Sequence, residues 1–414
     1  MTTVSFLDVL NRTRSNGIAD TSRRIVRRLY GALDSRMGIQ SLSFPLDRED
    51  VTSSSKVDRS ENAPQDVSKI GWLCTPPSPA AGGHTTFFRM VRAMEERGHQ
   101  CTILVYNRQD GAIERHREVI RRCWPDLTAD VEQMPAQLNG FDVCVASSWE
   151  TAHVLAARMP KKLGPVPYYF IQDYEPYFHP RGSLYALAED SYRFGFNHLA
   201  LGPMVAETLR LEIGVDAEVV PFGSDLRTYR RTNTGLRSGV VFFAKPGAER
   251  RGYDMGRLAL QEFHRLQPDQ EIHIYGSRVS GWGIPLTQHG MLTPVELNEL
   301  YNQTIAALAL SFTNITLVAG ELLAAGNIPV LNEHKFSRAV LTNPEAVWAA
   351  ASPMSLATAL SAVVTDPTIA TRSERAAAYG GTSWPEAQDR VALLLTRRQV
   401  VRSGSHQEEE PNRD

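Results

Sequence analysis

Apolar and polar positions alternate along the chain in three regimes. In residues 1–45, Ile25, Val26, Leu29, Tyr30 and Leu33 recur at helical spacing behind Ser22, which predicts a capped helix. Residues 46–68 (LDREDVTSSSKVDRSENAPQDVS) are polar and rich in Ser and Asp, and read as a linker. From Lys69 onward, short continuous apolar runs alternate with longer stretches of helical period. KIGWLCT is a strand that closes on the loop PPSPAAGG, and HTTFFRMVRAMEERG is a helix with Phe87, Phe88, Val91 and Met94 on one face and Gly98 as its stop. QCTILVY, FDVCVASS, VPYYFIQ and NHLALG read as further buried strands.

A second series follows Pro221-Phe222-Gly223 and the polar stretch 224–237. GVVFFAK is a strand, YDMGRLALQEFHRL a helix and EIHIYGS a strand. TPVELNELYNQ is a helix capped at Thr293, IAALALS a strand, NITLVAGELLAAG a helix ended by Gly326, and IPVLNE a strand. Regular strand–helix alternation predicts parallel sheets. The expected architecture is therefore α/β: two doubly wound, Rossmann-like domains, 69–222 and 238–382, facing across a cleft. A helix at 383–400 and a disordered polar tail at 401–414 follow. Ligands of open parallel sheets sit beyond the carboxyl ends of the strands, so two facing sets of loops would hold the site.

Composition narrows the function. The 414 residues carry 44 Lys+Arg against 46 Asp+Glu, a net charge of −2 that gives no field for nucleic acid. Residues 1–45 differ, with seven Arg against three Asp. The pairs Arg23-Arg24 and Arg27-Arg28 flank the apolar stripe, which suits a helix resting on an anionic membrane, a helix docked on the protein body, or an unstructured arm. Cys74, Cys101, Cys123 and Cys144 lie 27, 22 and 21 residues apart, match no metal or redox motif and read as reduced thiols. The N-terminus lacks a secretory pattern, so a cytoplasmic location is expected, with peripheral contact at the inner face of the membrane left open. The uncharged windows 301–320 and 346–365 are interrupted by polar residues and read as packed interior elements.

Four places carry candidate chemistry. Gly82 and Gly83 precede a helix and would let backbone approach a phosphate at its N-terminus, or form a plain turn; no G-x-G-x-x-G is present. Lys245 ends the first strand of the second domain and Arg251-Gly252 follows six residues later, an arrangement suited to a diphosphate or to a solvated basic loop. Thr313 or Asn314 can cap a helix whose free N–H groups at Ile315, Thr316 and Leu317 would meet an anion or a sugar hydroxyl. Glu321, two turns inside that apolar helix, would bind a diol or a buried partner. Finally, Gln172-Asp173-Tyr174-Glu175-Pro176, with His179 and Arg181, crowds a post-strand loop where an acceptor would be recognised. Neither a D-x-D pair nor an H-E-x-x-H spacing occurs, so no obligatory metal or other cofactor is expected.

The order of these features resembles retaining glycosyltransferases of the GT-B fold, family 4. The glycine loop comes first, then Lys245 with Arg251-Gly252, Tyr275-Gly276-Ser277, HGMLTPVELNELYNQ, Glu321-Leu-Leu-Ala-Ala-Gly326-Asn-Ile-Pro-Val330 and Ser383-Trp384. The stretch YYFIQDYEPYFHPRGSLYALAEDSYRF resembles WsaF-type rhamnosyltransferases. The resemblance spans roughly 69–400. It implies that Gly82 and Gly83 line the diphosphate side, that Lys245 and Arg251 bind the donor pyrophosphate, and that Glu321 holds the ribose. It also implies that amides around Asn314, Ile315, Thr316 and Leu317 touch the sugar, that the base lies near Tyr275, Gly276 and Met291, and that the last helix crosses back to the first domain. Asp173 would orient the acceptor hydroxyl, beside Glu175, His179 and Arg181. The family usually carries a second acid eight residues before the one matching Glu321; here Thr313 stands there. An ordinary hexose donor is then disfavoured and dTDP-rhamnose expected, with a glycan acceptor, lipid-linked or free, of a cell-surface polysaccharide. A hexosyltransferase using a GDP- or UDP-sugar, or a protein that binds sugar nucleotide without turnover, are the alternatives.

Overall fold

A computed structural model describes residues 44–56, 66–78, 81–108, 112–160, 164–333, 337–379 and 381–397. The expected helix at the N-terminus and the polar tail 401–414 lie outside the described residues. Two parallel sheets organise the chain. The first holds β1 (Lys69–Cys74), β2 (Gln100–Val105), β3 (Asp130–Gln133), β4 (Val143–Ala146), β5 (Val166–Ile171), β6 (Asn197–Leu201) and β7 (Glu218–Val220) in the order β3-β2-β1-β4-β5-β6-β7. The second holds β8 (Val240–Ala244), β9 (Ile272–Gly276), β10 (Thr287–Gly290), β11 (Ala306–Leu308), β12 (Ile328–Asn332) and β13 (Val347–Ala349) in the order β10-β9-β8-β11-β12-β13.

The central strands are continuous apolar runs because helices cover both faces of a parallel sheet. Ile70 pairs with Cys101 on one side and Val143 on the other, and Val240 with Ile272 and Ala306. Strand order therefore reverses between β1 and β4 and between β8 and β11, and at such reversals the loops diverge and leave a crevice. The helix Gly82–Glu96 buries Phe87, Phe88, Val91 and Met94 as its periodicity predicts, with Phe87 edge-on to Trp72 at 5.3 Å between centroids. Gly98 ends it with φ 86°. The short strands β3, β7, β10 and β13 were not predicted; each is only three or four residues long, too short for an apolar run to mark it.

Residues 46–54 correct the linker expectation. The helix Arg48–Thr52 packs against the helix Trp149–Arg158; Leu46 and Asp50 are buried, and Asp50 receives two hydrogen bonds of 2.8 Å from the Arg158 guanidinium. A polar run thus docks through one apolar side chain and one paired carboxylate, a pattern too sparse to show as periodicity.

The C-terminal helix Trp384–Thr396 returns to the first domain. Its Ala387, Val391, Leu394 and Leu395 join the core cluster of Trp72, Phe87 and Phe88, and Tyr168 Oη donates to Leu394 O at 2.9 Å. Two passages connect the domains and run side by side: Ser224 N donates to Thr382 O at 2.9 Å, and Gly223 lies against Trp384 so closely that a Cβ there would stand 2.6 Å from the indole. Among the described residues no helix is long and apolar enough to cross a membrane. The windows 301–320 and 346–365 each break into separate strands and helices. Cys74, Cys101 and Cys144 are buried free thiols and Cys123 is half-buried.

Candidate functional site

A cavity of about 570 Å³ opens between the two domains. It sits beyond the carboxyl ends of β1 and β4 on one side and of β8 and β11 on the other, at both strand-order reversals. Gly82, Gly83, Glu150, Gln172, Asp173 and Glu175 contribute from the first domain, and Lys245, Arg250, Arg251, Asn314, Ile315 and Leu317 from the second.

The second-domain wall carries the cations. Lys245 directly follows β8 and is exposed. The loop then makes one tight turn, Glu249–Arg251, and enters the helix Tyr253–Leu266 through Gly252 at φ 63°. Arg251 is fixed from below, its Nη1 donating to the buried Ser311 Oγ at 3.2 Å. Burial and the neighbouring Arg250 pull its pKa down, and Asp173 and Tyr275 oppose that. A guanidinium held this way is poorly neutralised by its own protein and is poised for an anion from outside.

The expected cap of the next helix is not formed. The helix runs Thr316–Ala324 with Ile315 at the capping position and no side-chain cap. Thr313 and Asn314 are otherwise engaged. Thr313 is fully buried beside Asp173, and Asn314 Nδ2 donates to Gln172 O, in the other domain, at 3.0 Å. Gln172 Nε2 in turn donates to Gly83 O at 3.0 Å. Ile315, Leu317, Val318 and Leu322 give the hollow an apolar flank. The first N–H groups of that helix, like those at Gly82 and Gly83, have no acceptor within their own helix. At Gly82 a Cβ would meet nothing within 4 Å, so the backbone there is open to the cleft.

Asp173 faces both domains. Burial raises its pKa; Thr313, Arg250, Arg251 and the Asn314 N–H favour the charged form. Arg250 Nη1 is 3.7 Å from its Oδ2. Glu175 is buried and its Oε2 accepts the Trp149 N–H at 2.6 Å, so it satisfies the start of the helix Trp149–Arg158 and does not stand free for an acceptor. Burial, Glu150 and Asp173 hold its pKa well above the usual carboxylate range. His179 lines the hollow, edge-on to Trp149 at 5.8 Å between centroids, and its enclosed Nε2 has no hydrogen-bond partner among the described residues. Burial lowers its pKa.

Five expected residues stand outside the lining: Thr313, Gly276, Met291, Arg181 and Glu321. Glu321 lies beside the hollow, with burial and then Asp225 raising its pKa to about 8 against the opposing charge of Arg89. Tyr275 does line the deep end, with its Oη 2.8 Å from Tyr301 Oη. Gly276, at φ 96°, sits behind it; a Cβ there would strike Ala244 O at 2.6 Å, so this glycine serves the turn. Met291 is 71% exposed ahead of the surface helix Pro294–Gln303. Arg181 points to solvent over the ring of Tyr185, 5.1 Å from its centroid. Two residues were missed. Glu150 opens the helix after β4, and its strand-end position was the available signal. Arg250 shares the loop of Lys245 and Arg251, where it read as a solvated charge. Among the described residues no group of three His, Cys, Asp or Glu side chains is placed to hold a metal ion.

No protein family profile matches the chain. An O-antigen biosynthesis protein, RfbC of Myxococcus xanthus, is 28% identical over 347 residues; these are 79% of this chain and 26% of that protein, so the chain spans about a quarter of that relative's length. Among solved structures, HepE of Anabaena in complex with UDP and glucose superposes with a TM-score of 0.61 at 14% identity, over 80% of this chain and 100% of that one. TarM of S. aureus gives 0.60 at 6% identity over 80% and 100%. WaaG, a glycosyltransferase involved in lipopolysaccharide biosynthesis, gives 0.54 at 14% identity over the same shares. The architecture is the GT-B fold: two Rossmann-like parallel-sheet domains across a cleft.

Proposed function

We propose that the chain transfers a sugar from a nucleoside diphosphate to a saccharide acceptor in the assembly of a cell-surface polysaccharide, with dTDP-rhamnose as donor and retention at the anomeric carbon. The observation that carries this reading is the placement of Lys245 and Arg251 in one hollow with the open helix start at Gly82 and Gly83, where both sheets reverse strand order. HepE was solved with UDP and with UDP-glucose, and the RfbC protein is named for O-antigen biosynthesis; both favour a sugar-nucleotide donor and a glycan product. The apolar flank of Ile315, Leu317 and Val318, next to the amides proposed to meet the sugar, suits the methyl group of a 6-deoxy sugar, and Thr313 offers no acid for hexose hydroxyls.

In this reading the anomeric C–O bond breaks with negative charge growing on the diphosphate. Lys245, Arg251 and the N–H groups at 315–317 meet that charge, Arg251 and the amides being fixed before the reaction. The acceptor oxygen bonds to the anomeric carbon on the face the phosphate leaves, and its proton passes to the departing phosphate oxygen, so no protein base is required. Asp173 serves by holding the Arg250 and Thr313 side of the cleft. Closure about the paired passages at Gly223 and Trp384 would exclude water and limit donor hydrolysis. The test is to offer the purified protein dTDP-rhamnose, GDP-mannose and UDP-glucose with a saccharide acceptor. Turnover with dTDP-rhamnose is expected; turnover confined to a hexose donor removes the rhamnose assignment, and nucleotide binding without turnover leaves a binding protein.

A further inference from the structure

Three carboxylates line the first-domain side of the hollow: Glu150, Asp173 and Glu175. Two are spoken for. Asp173 faces Arg250 and Thr313, and Glu175 accepts the Trp149 N–H at 2.6 Å. Glu150 makes no ion pair among the described residues; burial raises its pKa, and only its own N–H and the Ser148 hydroxyl favour its charge. It is the second residue of the helix Trp149–Arg158, immediately beyond β4. A carboxylate taken out of water without a cation is costly. In the wall of an open cavity that cost is offset when donors arrive with a ligand.

The neighbouring surface indicates what kind of ligand. Phe178 lines the same hollow, is 38% exposed and lies under the Arg250 guanidinium, which stands 4.6 Å from the ring centroid. A carboxylate that accepts hydroxyl hydrogen bonds beside an aromatic face that takes C–H groups is complementary to a sugar ring. The three cations of the hollow, Lys245, Arg250 and Arg251, all belong to the other domain. Charge is thus divided: the cationic wall suits a diphosphate, and the wall of Glu150 suits a ligand rich in hydroxyl donors and free of negative charge.

We propose that Glu150 is the acceptor-orienting group of this site, its carboxylate accepting the hydrogen bond of a hydroxyl beside the attacking one, which keeps its own proton for the departing phosphate, and that the sugar seated there is neutral and packs on Phe178. The assignment rests on the glycosyl-transfer reading and names its acceptor class. An acceptor sugar bearing a carboxylate or phosphate at this position would meet Glu150 with like charge and an unpaired buried group.

Glu150→Gln keeps the volume and removes the charge. Wild type and E150Q are compared by calorimetric titration with dTDP and UDP. They are then compared in transfer from dTDP-rhamnose and UDP-glucose to p-nitrophenyl glycosides of neutral sugars and of a uronic acid. Nucleotide affinity should stay within about twofold of wild type, while kcat/KM for transfer to the neutral acceptor falls about 100-fold. Glu150→Asp should recover part of that loss, and Phe178→Ala should raise the acceptor KM about tenfold. Transfer by E150Q within about threefold of wild type overturns the assignment. So does equal use of the uronic acid glycoside by wild type. A wild-type protein that binds neither nucleotide is a separate result, which removes the glycosyl-transfer reading and this assignment with it.

Discussion

Arg250 of the second domain and Asp173 of the first stand 3.7 Å apart, Nη1 to Oδ2, across the mouth of the hollow. The same guanidinium lies over the ring of Phe178, 4.6 Å from its centroid. With the Asn314–Gln172 bond, this contact joins the domains in addition to the paired passages at Gly223 and Trp384. All four residues of the Arg250–Asp173 and Asn314–Gln172 contacts line the hollow.

Arg250→Ala should separate stability from activity. The pair is partly exposed, so its loss should cost about 1 kcal/mol or less. Positioning is more sensitive, and kcat/KM for transfer should fall roughly tenfold to 100-fold as the cleft closes less faithfully. Thermal unfolding and steady-state kinetics on one preparation check both halves.

Arg251→Ala should act on the chemistry. Among the described residues its guanidinium donates one hydrogen bond, to Ser311 Oγ at 3.2 Å, so the fold loses little. A lost preorganised cation at a departing phosphate is expected to lower kcat by about 10²- to 10³-fold. Arg251→Lys should recover only part, because a point charge cannot reproduce the planar fork. Circular dichroism with kinetics checks the pair of variants.

The chain shows most of its framework openly and its site only in part. KIGWLCT, GVVFFAK and the stripe Phe87, Phe88, Val91, Met94 are legible because two-sided burial requires uninterrupted apolar runs in strands and one apolar face in helices. Lys245, Arg251, Gly82 and Gly83 are legible because strand ends gather at the cleft. Glu150, Arg250 and the Asp50–Arg158 pair are not: each depends on which distant segment faces it, and a charged residue in a loop or first helical turn looks the same whether it meets solvent or a partner domain. Met291 and Arg181 fail for the same reason in reverse, being polar-loop neighbours of the site that turn outward.

Glu321 should mark the pH dependence of stability. Its carboxyl is pushed up to about 8 by burial and by Asp225, above its ordinary value. The folded state then holds a proton that the unfolded chain releases, so the stability it contributes is present at low pH and is lost as pH rises toward 8. Glu321→Gln, which mimics the protonated form, should match wild type near pH 5 and unfold at least about 2 °C higher near pH 8.5. A constant difference across that range in a pH series of thermal melts contradicts the assignment.

Gly223→Ala should damage the passage between the domains. The added Cβ would stand 2.6 Å from the Trp384 indole and 2.7 Å from its Cα, with backbone on both sides. Overpacking of this kind costs about 1–3 kcal/mol. Chemical denaturation with tryptophan fluorescence should show the lowered midpoint, and Trp384→Leu in the same chain should return part of it by making room.

The central claim is that the cations of the second domain grip a nucleoside diphosphate in the interdomain hollow. Isothermal titration of wild type and of the double variant Lys245→Ala, Arg251→Ala with dTDP tests it most directly. Saturable binding by wild type, weakened by about 100-fold or more in the double variant, is the expected result. Equal binding by both proteins, or no binding of dTDP, UDP or GDP by wild type, contradicts it.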